Sequence, residues 1–162
     1  MRLLLIPCAA VMLASTLSCA PVRGRSKTDP TIAIRASDPE MNAAIEKARA
    51  TLPTFFVHWK HPGPGESDFN LKLRITDDGS VEHFWLGQVT GTLGQLSGVV
   101  DDTPQTVHSV KLGQRIPISV DQITDWMYLR DGKIVGNLTM KVLFKHMHPK
   151  DVAKLKASLA DP

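Results

Sequence analysis

Cysteine is nearly missing from this chain. Cys8 and Cys19 alone cannot build a disulfide framework or a cysteine-rich zinc site. An excess of one charge is missing too: 19 Lys and Arg stand against 16 acids, a formal charge of +3 dispersed along 162 residues. That is no electrostatic footprint for nucleic acid, so nucleic acid is not expected as a partner. No G-x-S-x-G elbow, H-E-x-x-H pair or phosphate loop occurs. Gly91, Gly94 and Gly98 have the wrong spacing for a dinucleotide loop and read as turn and sheet glycines. What remains, with 43% apolar and 22% charged residues, is the composition of one ordinary globular domain.

The longest apolar run is N-terminal. Arg2 is the only charge before Arg23, and Leu3 to Ala20 is almost wholly apolar or small. A basic start, an apolar stretch and a small-residue exit form a secretory signal pattern. The run approaches the length of a membrane span, so an uncleaved anchor is the alternative. Pro7 and Ala14-Ser15-Thr16 weaken a spanning helix and favour processing. Ser15-Thr16-Leu17-Ser18-Cys19 resembles a bacterial lipobox, in which the cysteine becomes the lipidated first residue. Thr16 departs from the Leu which that pattern prefers, and simple cleavage after Ala20 is the rival. Lipidation at Cys19 makes residues 1–18 a signal peptide and removes Cys8, leaving no internal disulfide in an oxidising compartment. Ala20 after the cysteine resembles the sorting signal for the outer membrane, facing the periplasm. Residues 19–37, rich in Pro, Arg, Lys, Ser and Thr, read as a tether.

Residues 38–148 read as one domain and 149–162 as a C-terminal helical tail. Asp38-Pro39-Glu40 is a helix start, with an oxygen cap, a first-turn proline and an acid at the positive dipole end. Met41, Ile45, Ala48 and Leu52 then make one apolar stripe. Pro53 is expected to stop the helix, with Phe55, Phe56, Val57 and Trp59 in a short extended piece. His61-Pro62-Gly63-Pro64-Gly65 is loop. Phe69 to Ile75 alternates apolar and polar residues as a half-buried strand does. Asp77-Asp78-Gly79 turns it into Val81 to Leu86. Further strands are expected at 96–100, 107–110, 115–120, 126–129 and 134–136, with Pro117 marking an edge. Leu138, Val142, Val152, Leu155 and Leu159 carry helical periodicity, broken at Pro149. The fold class is α+β: an N-terminal helix packed on a curled, mainly antiparallel sheet of five or six short strands, with a C-terminal helical tail.

Two histidine pairs, His58-x-x-His61 and His146-x-His148, supply four nitrogens of the kind zinc takes. Histidines near a helix C-terminus are accounted for by the dipole alone, and His146 and His148 fall on different helix faces. No metal and no other cofactor is expected. Glu82-His83-Phe84-Trp85 and Asp125-Trp126-Met127-Tyr128 are the most loaded runs. In a strand, Glu82 and Phe84 face one way, His83 and Trp85 the other. Glu82 is either exposed at an edge or held in a polar niche that raises its pKa. Were the two runs neighbours, Glu82, His83, Asp125 and Asn137 would form a polar cluster at one sheet end, favouring a cationic ligand until His83 protonates near pH 6. The bland alternative makes Trp85 and Trp126 core anchors and leaves the carboxylates bonded to backbone amides. No nucleophile accompanies the cluster, so no catalytic residue is assigned. Asn137-Leu138-Thr139 matches a glycosylation sequon formally, but Gly136-Asn137 reads better as a turn or helix cap.

Several spaced motifs carry a resemblance. They are Asp38-Pro39-Glu40-Met41-Asn42-Ala43-Ala44-Ile45 with Ala48-Arg49, Glu82-His83-Phe84-Trp85, and Val110-Lys111-Leu112-Gly113. Ile123-Thr124-Asp125-Trp126-Met127-Tyr128 and Gly136-Asn137-Leu138-Thr139 complete them. In this order they resemble the bacterial family catalogued as domain of unknown function 2314, the YegJ-like proteins, over roughly residues 38–143. The resemblance implies one compact domain that occurs alone, behind signal peptides, or joined to modules such as ankyrin repeats. It implies no assigned activity, and Gln114 stands where members commonly carry an acid. Two functions follow. One is a non-enzymatic, lipid-anchored envelope protein whose domain binds a protein or peptide. The alternative is a hydrolase or other small enzyme using Glu82, His83 and Asp125. Convergence of those three side chains in a cleft discriminates between them.

Overall fold

The computed structural model describes residues 38–160. The signal, Cys19 and the tether lie outside the described residues.

Helix α1, Pro39–Lys60, opens as its sequence dictates: the Asp38 side chain accepts from the Met41 amide at 2.8 Å, and Pro39 sits in the first turn. Ala48, Leu52 and Phe55 are its buried stripe. The helix runs through Pro53, correcting the expected stop, and Phe55 to Trp59 are helical. A mid-helix proline costs about 3 kcal/mol. Burying a large apolar side chain contributes roughly 1.5–3 kcal/mol each. With Leu52 and Phe55 buried and Phe56 and Trp59 packed against the core, tertiary burial outweighs the local defect.

The sheet follows as β1 (Glu66–Asp77), β2 (Ser80–Thr92), β3 (Gln95–Val100), β4 (Arg115–Ile118), β5 (Ile123–Arg130) and β6 (Lys133–Gly136). All pairings are antiparallel, in the order β4-β3-β2-β1-β5-β6. Asp78 and Gly79 both take positive φ in the β1–β2 turn, the conformation that suits the right-handed twist of a hairpin. β4 is an edge strand, where the missing N–H of Pro117 is tolerated. Residues 107–110, expected as a strand, form part of an irregular loop between β3 and β4; Val107 is buried there all the same.

Strong curvature is forced by connectivity. β4 and β5 lie four strand spacings apart, roughly 19 Å along a flat sheet. Only Ser119 and a 3-10 turn at Val120–Gln122 join them, and such a turn rises only about 2 Å per residue. The sheet therefore curls without closing. Register shifts between Gly87 and Thr90, and between Ser67 and Asn70, mark bulges that bend the long strands. The concave face holds α1 over Leu71, Leu73, Phe84, Leu86, Trp126 and Tyr128. Arg49 of α1 fixes the β4–β5 link by donating to the Asp121 and Ile123 carbonyls.

After β6 come α2 (Leu138–Leu143), a 3-10 turn at Phe144–His146, and α3 (Pro149–Ser158), which Pro149 begins. Gly136, at φ 87°, lets the chain pass Trp126 closely: a Cβ there would stand 2.4 Å from the Trp126 carbonyl oxygen. Among the described residues, no helix is long and apolar enough to cross a membrane.

Candidate functional site

The convex face gathers polar groups by register. Lys72 of β1 stands between Trp85 of β2 and Asp125 of β5, and Arg74 stands opposite His83. Period-two alternation puts these residues on the face opposite Leu71 and Leu73. Trp85 is buried, with the Lys72 ammonium 5.2 Å from its ring centroid, a cation–π distance. It lies outside the main core cluster, which Trp126 occupies. The Trp126 indole N–H donates to the Ala48 carbonyl at 3.0 Å and to the Thr51 hydroxyl at 3.2 Å. Both tryptophans are thus buried, one on each side of the sheet.

A bulge beside Lys72 turns Thr124 toward His83, whose Nδ1 lies 3.0 Å from the Thr124 hydroxyl. The residue keeps solvent contact. Burial of its ring, followed by the charges of Lys72 and Arg74, lowers the His83 pKa to about 4. This overturns the expected protonation near pH 6: burial first, and then two cationic neighbours, disfavour the charged ring.

Asp125 is fully buried. Its carboxylate accepts from the amides of Leu138 at 3.1 Å and Thr139 at 2.8 Å, and from its neighbour Trp126 at 2.9 Å. It thereby caps α2. Asn137 occupies the cap position in the left-handed region that Asn tolerates, but its side chain makes no cap bond. Its amide lies 3.8 Å from the Met127 sulfur.

Glu82 is elsewhere, across from Ile75 at the end of the concave face. It accepts from the backbone amides of Gln105, Thr106 and Val107. Burial would raise its pKa, yet these amides outweigh burial and hold it below the ordinary value, opposite to the rise a polar niche implies. The structure therefore places His83 beside Thr124 and Asp125 beside the α2 start, and Glu82 on the other face.

Sequence reasoning missed a tighter network. Glu66, whose side chain is 4% exposed, accepts from the Gly63 amide, from His58 Nδ1 at 3.0 Å, and from Arg130 at 2.9 Å. Arg130 also donates to the Tyr128 hydroxyl at 2.7 Å, and His58 stacks on the Tyr128 ring. The only advance signal was a histidine and a glutamate bracketing the Pro-Gly loop. The other histidine pair is spent on helix ends: His148 Nδ1 accepts from the Lys150 amide to cap α3. Among the described residues, no three His, Cys, Asp or Glu side chains are grouped to hold a metal ion.

Comparison with known proteins adds three findings. Residues 38–160 match the family model DUF2314, described as an uncharacterized protein conserved in bacteria. The uncharacterized protein YegJ of Escherichia coli K12 is 32% identical over 150 residues, covering 92% of this chain and 97% of YegJ. A Neisseria meningitidis serogroup B protein whose name carries ankyrin repeats is 26% identical over 118 residues, 68% of this chain but only 47% of that protein. No solved structure matches the chain. With the family model spanning the whole described domain, and YegJ aligned over nearly its full length, this chain belongs to the DUF2314 family of bacterial proteins.

Proposed function

We propose that this protein is an exported, lipid-anchored envelope module that binds a partner and performs no catalysis. One observation carries the reading. Glu82 and Asp125, the carboxylates a hydrolase would need, stand on opposite faces of the sheet, each filled with backbone amide donors. A general base needs a free lone pair within reach of its substrate. Asp125 is out of solvent with each oxygen accepting two bonds, and Glu82 spends its carboxylate on three consecutive loop amides. The side chains that reach solvent at the same place are Arg74 and His83, next to Lys72 and Trp85. With His83 neutral above about pH 4 and the Asp125 carboxylate buried under the start of α2, the exposed charge of that strip is the Arg74 guanidinium, beside Lys72. It suits an acidic protein segment, in place of the cation expected from sequence. The relative named for ankyrin repeats is about twice as long as its matched part, which supports a domain that works beside other parts. The lipobox-like Cys19 supplies the anchor, with residues 19–37 as tether, facing the periplasm from the outer membrane.

Two measurements test this. Intact mass of the mature protein is expected to show an acylated Cys19; an unmodified N-terminus at Pro21 overturns the anchor. A photo-crosslinking residue in place of Arg74 is expected to trap a discrete envelope partner, and one in place of Lys47 on the exposed side of α1 is not. Equal trapping at both positions, or none at position 74, overturns the binding face.

A further inference from the structure

The loop between β3 and β4, residues 101–114, is fastened in two different ways. Its ends are held by the main chain or next to it. The Asp101 amide donates to the Trp85 carbonyl, Asp102 accepts from the Trp85 amide, and the Gly113 amide donates to the Val100 carbonyl. Its middle is held by two carboxylates of the β1–β2 hairpin. Glu82 takes the amides of Gln105 at 3.0 Å, Thr106 at 3.0 Å and Val107 at 3.1 Å. Asp77 takes those of His108 and Ser109, both at 2.8 Å. Five consecutive backbone N–H groups end on two titratable side chains. Beneath them Val107 is fully buried and Val110 nearly so, in one cluster with Phe84, Leu86, Leu96 and Val100.

We propose that residues 104–110 are an acid-released strap: protonation of Glu82 and Asp77 frees the segment and uncovers the apolar end of the concave face, while α1 and the central strands stay folded. The reading goes beyond partner binding on the convex face and does not depend on it. A protonated carboxyl loses its charge-assisted bonds and gains an O–H that needs an acceptor, where this site presents mainly backbone N–H donors, with the Thr106 hydroxyl beside Glu82. The loop has no strand pairing in its middle to replace them, so opening there is cheaper than opening a strand.

The sign is fixed by the direction of the shifts. The His108 and Ser109 amides lower the Asp77 pKa, and the strap amides lower that of Glu82 against its burial. Such groups hold the strap fully above their unfolded values, near pH 4, and lose their hold as pH falls through the lowered ones. Of the charged groups around them, His108 of the strap faces Asp77 and, as a cation, favours its ionised form; Asp78 adjoins Asp77 in the turn. Arg74 and His83 flank Glu82 on the hairpin but belong to the other face, and Asp102 is bound to Trp85. Release therefore belongs below about pH 4.

A single thiol tests this: Val107→Cys in a chain also carrying Cys8→Ser and Cys19→Ser, probed with dithiodipyridine, which reacts in acid. The thiol is expected to be protected at pH 7 and to react roughly tenfold faster once pH falls well below about 4, through the lowered values, with the helical circular dichroism unchanged. Adding Asp77→Asn and Glu82→Gln is expected to expose it at pH 7. Protection that persists in acid, or that is lost only together with the helical signal, overturns the strap. If the neutralised chain does not fold, hydrogen exchange of the unmutated protein decides. Faster exchange in acid confined to 105–109, relative to 71–73, supports release; a uniform rise overturns it.

Discussion

Asp125 and Thr139 are joined twice: the same carboxylate oxygen accepts the Thr139 amide at 2.8 Å and its hydroxyl at 2.6 Å. A residue of β5 thus caps a helix that starts 13 residues later, with the bond fully out of water. Asp125→Asn replaces an acceptor by an amide group facing donors. The expected loss is about 1–3 kcal/mol, the cost of buried polar groups left unpaired. Urea unfolding measures it; an unchanged midpoint would show that α2 does not depend on this cap.

Trp126 is the larger anchor. Its ring lies near-parallel to Tyr128 with centroids 6.1 Å apart, and its N–H reaches into α1. Trp126→Ala is expected to cost about 3–5 kcal/mol, a large share of the roughly 5–15 kcal/mol that holds a domain together. Trp126→Phe keeps most of the burial and loses the N–H donor, so its melting temperature should fall between the two. Trp85→Ala should also destabilise, although Trp85 lies on the convex side. A Trp85 variant that melts normally yet loses its partner would mark that residue as a binding aromatic.

His83 makes a pH signature. Its folded pKa, about 4, lies below the ordinary 6.5. Between those values the unfolded chain binds a proton that the folded one does not, so stability rises with pH there and is lost as pH falls. His83→Gln removes that titration. Its unfolding midpoint should change less between pH 6.5 and pH 4.5 than that of the unmutated protein. Parallel pH dependences of the two would show that His83 titrates alike in both states.

The Glu66 network ties the end of α1 to β1 and β5. Burial alone would raise the Glu66 pKa, but the Gly63 amide, Arg130 and His58 outweigh it and hold it below the ordinary value. Its contribution is therefore present above the unfolded pKa and lost as pH falls through the folded one. Glu66→Gln should lower the melting temperature at pH 7 and narrow the gap to the unmutated protein in acid. Arg130→Lys should behave almost as badly, since a lysine cannot offer a planar fork to both Glu66 and Tyr128. A gap that stays constant with pH would count against ionisation of Glu66 as its source.

Local patterns carried far in this chain. The Asp38-Pro39 start of α1, the alternation of β1, the Asp78-Gly79 turn and the edge position of Pro117 are all properties of neighbouring residues, and the structure bears them out. Local rules failed where burial was stronger than propensity. Pro53 reads as a stop because its cost is local, whereas the gain from Phe55 and its neighbours depends on a sheet made by residues farther along. Val107 and Val110 read as a strand because apolar content alone does not distinguish pairing from packing under a loop.

The composition and motifs of this sequence by themselves determined its family resemblance, its α+β class and the candidate polar residues. Tertiary structure decided what each polar residue does. Strand alternation predicts that Glu82 and His83 point apart, but it does not say which backbone amides Glu82 will meet 23 to 25 residues on. Nor does it show that the neighbours of His83 are Lys72 and Arg74, since β1 and β2 must first pair in one register. Charges and hydrogen bonds act over a few ångströms of space, and the separations that matter here run to dozens of residues along the chain. Strand pairing and the path of the β3–β4 loop bring those groups within reach.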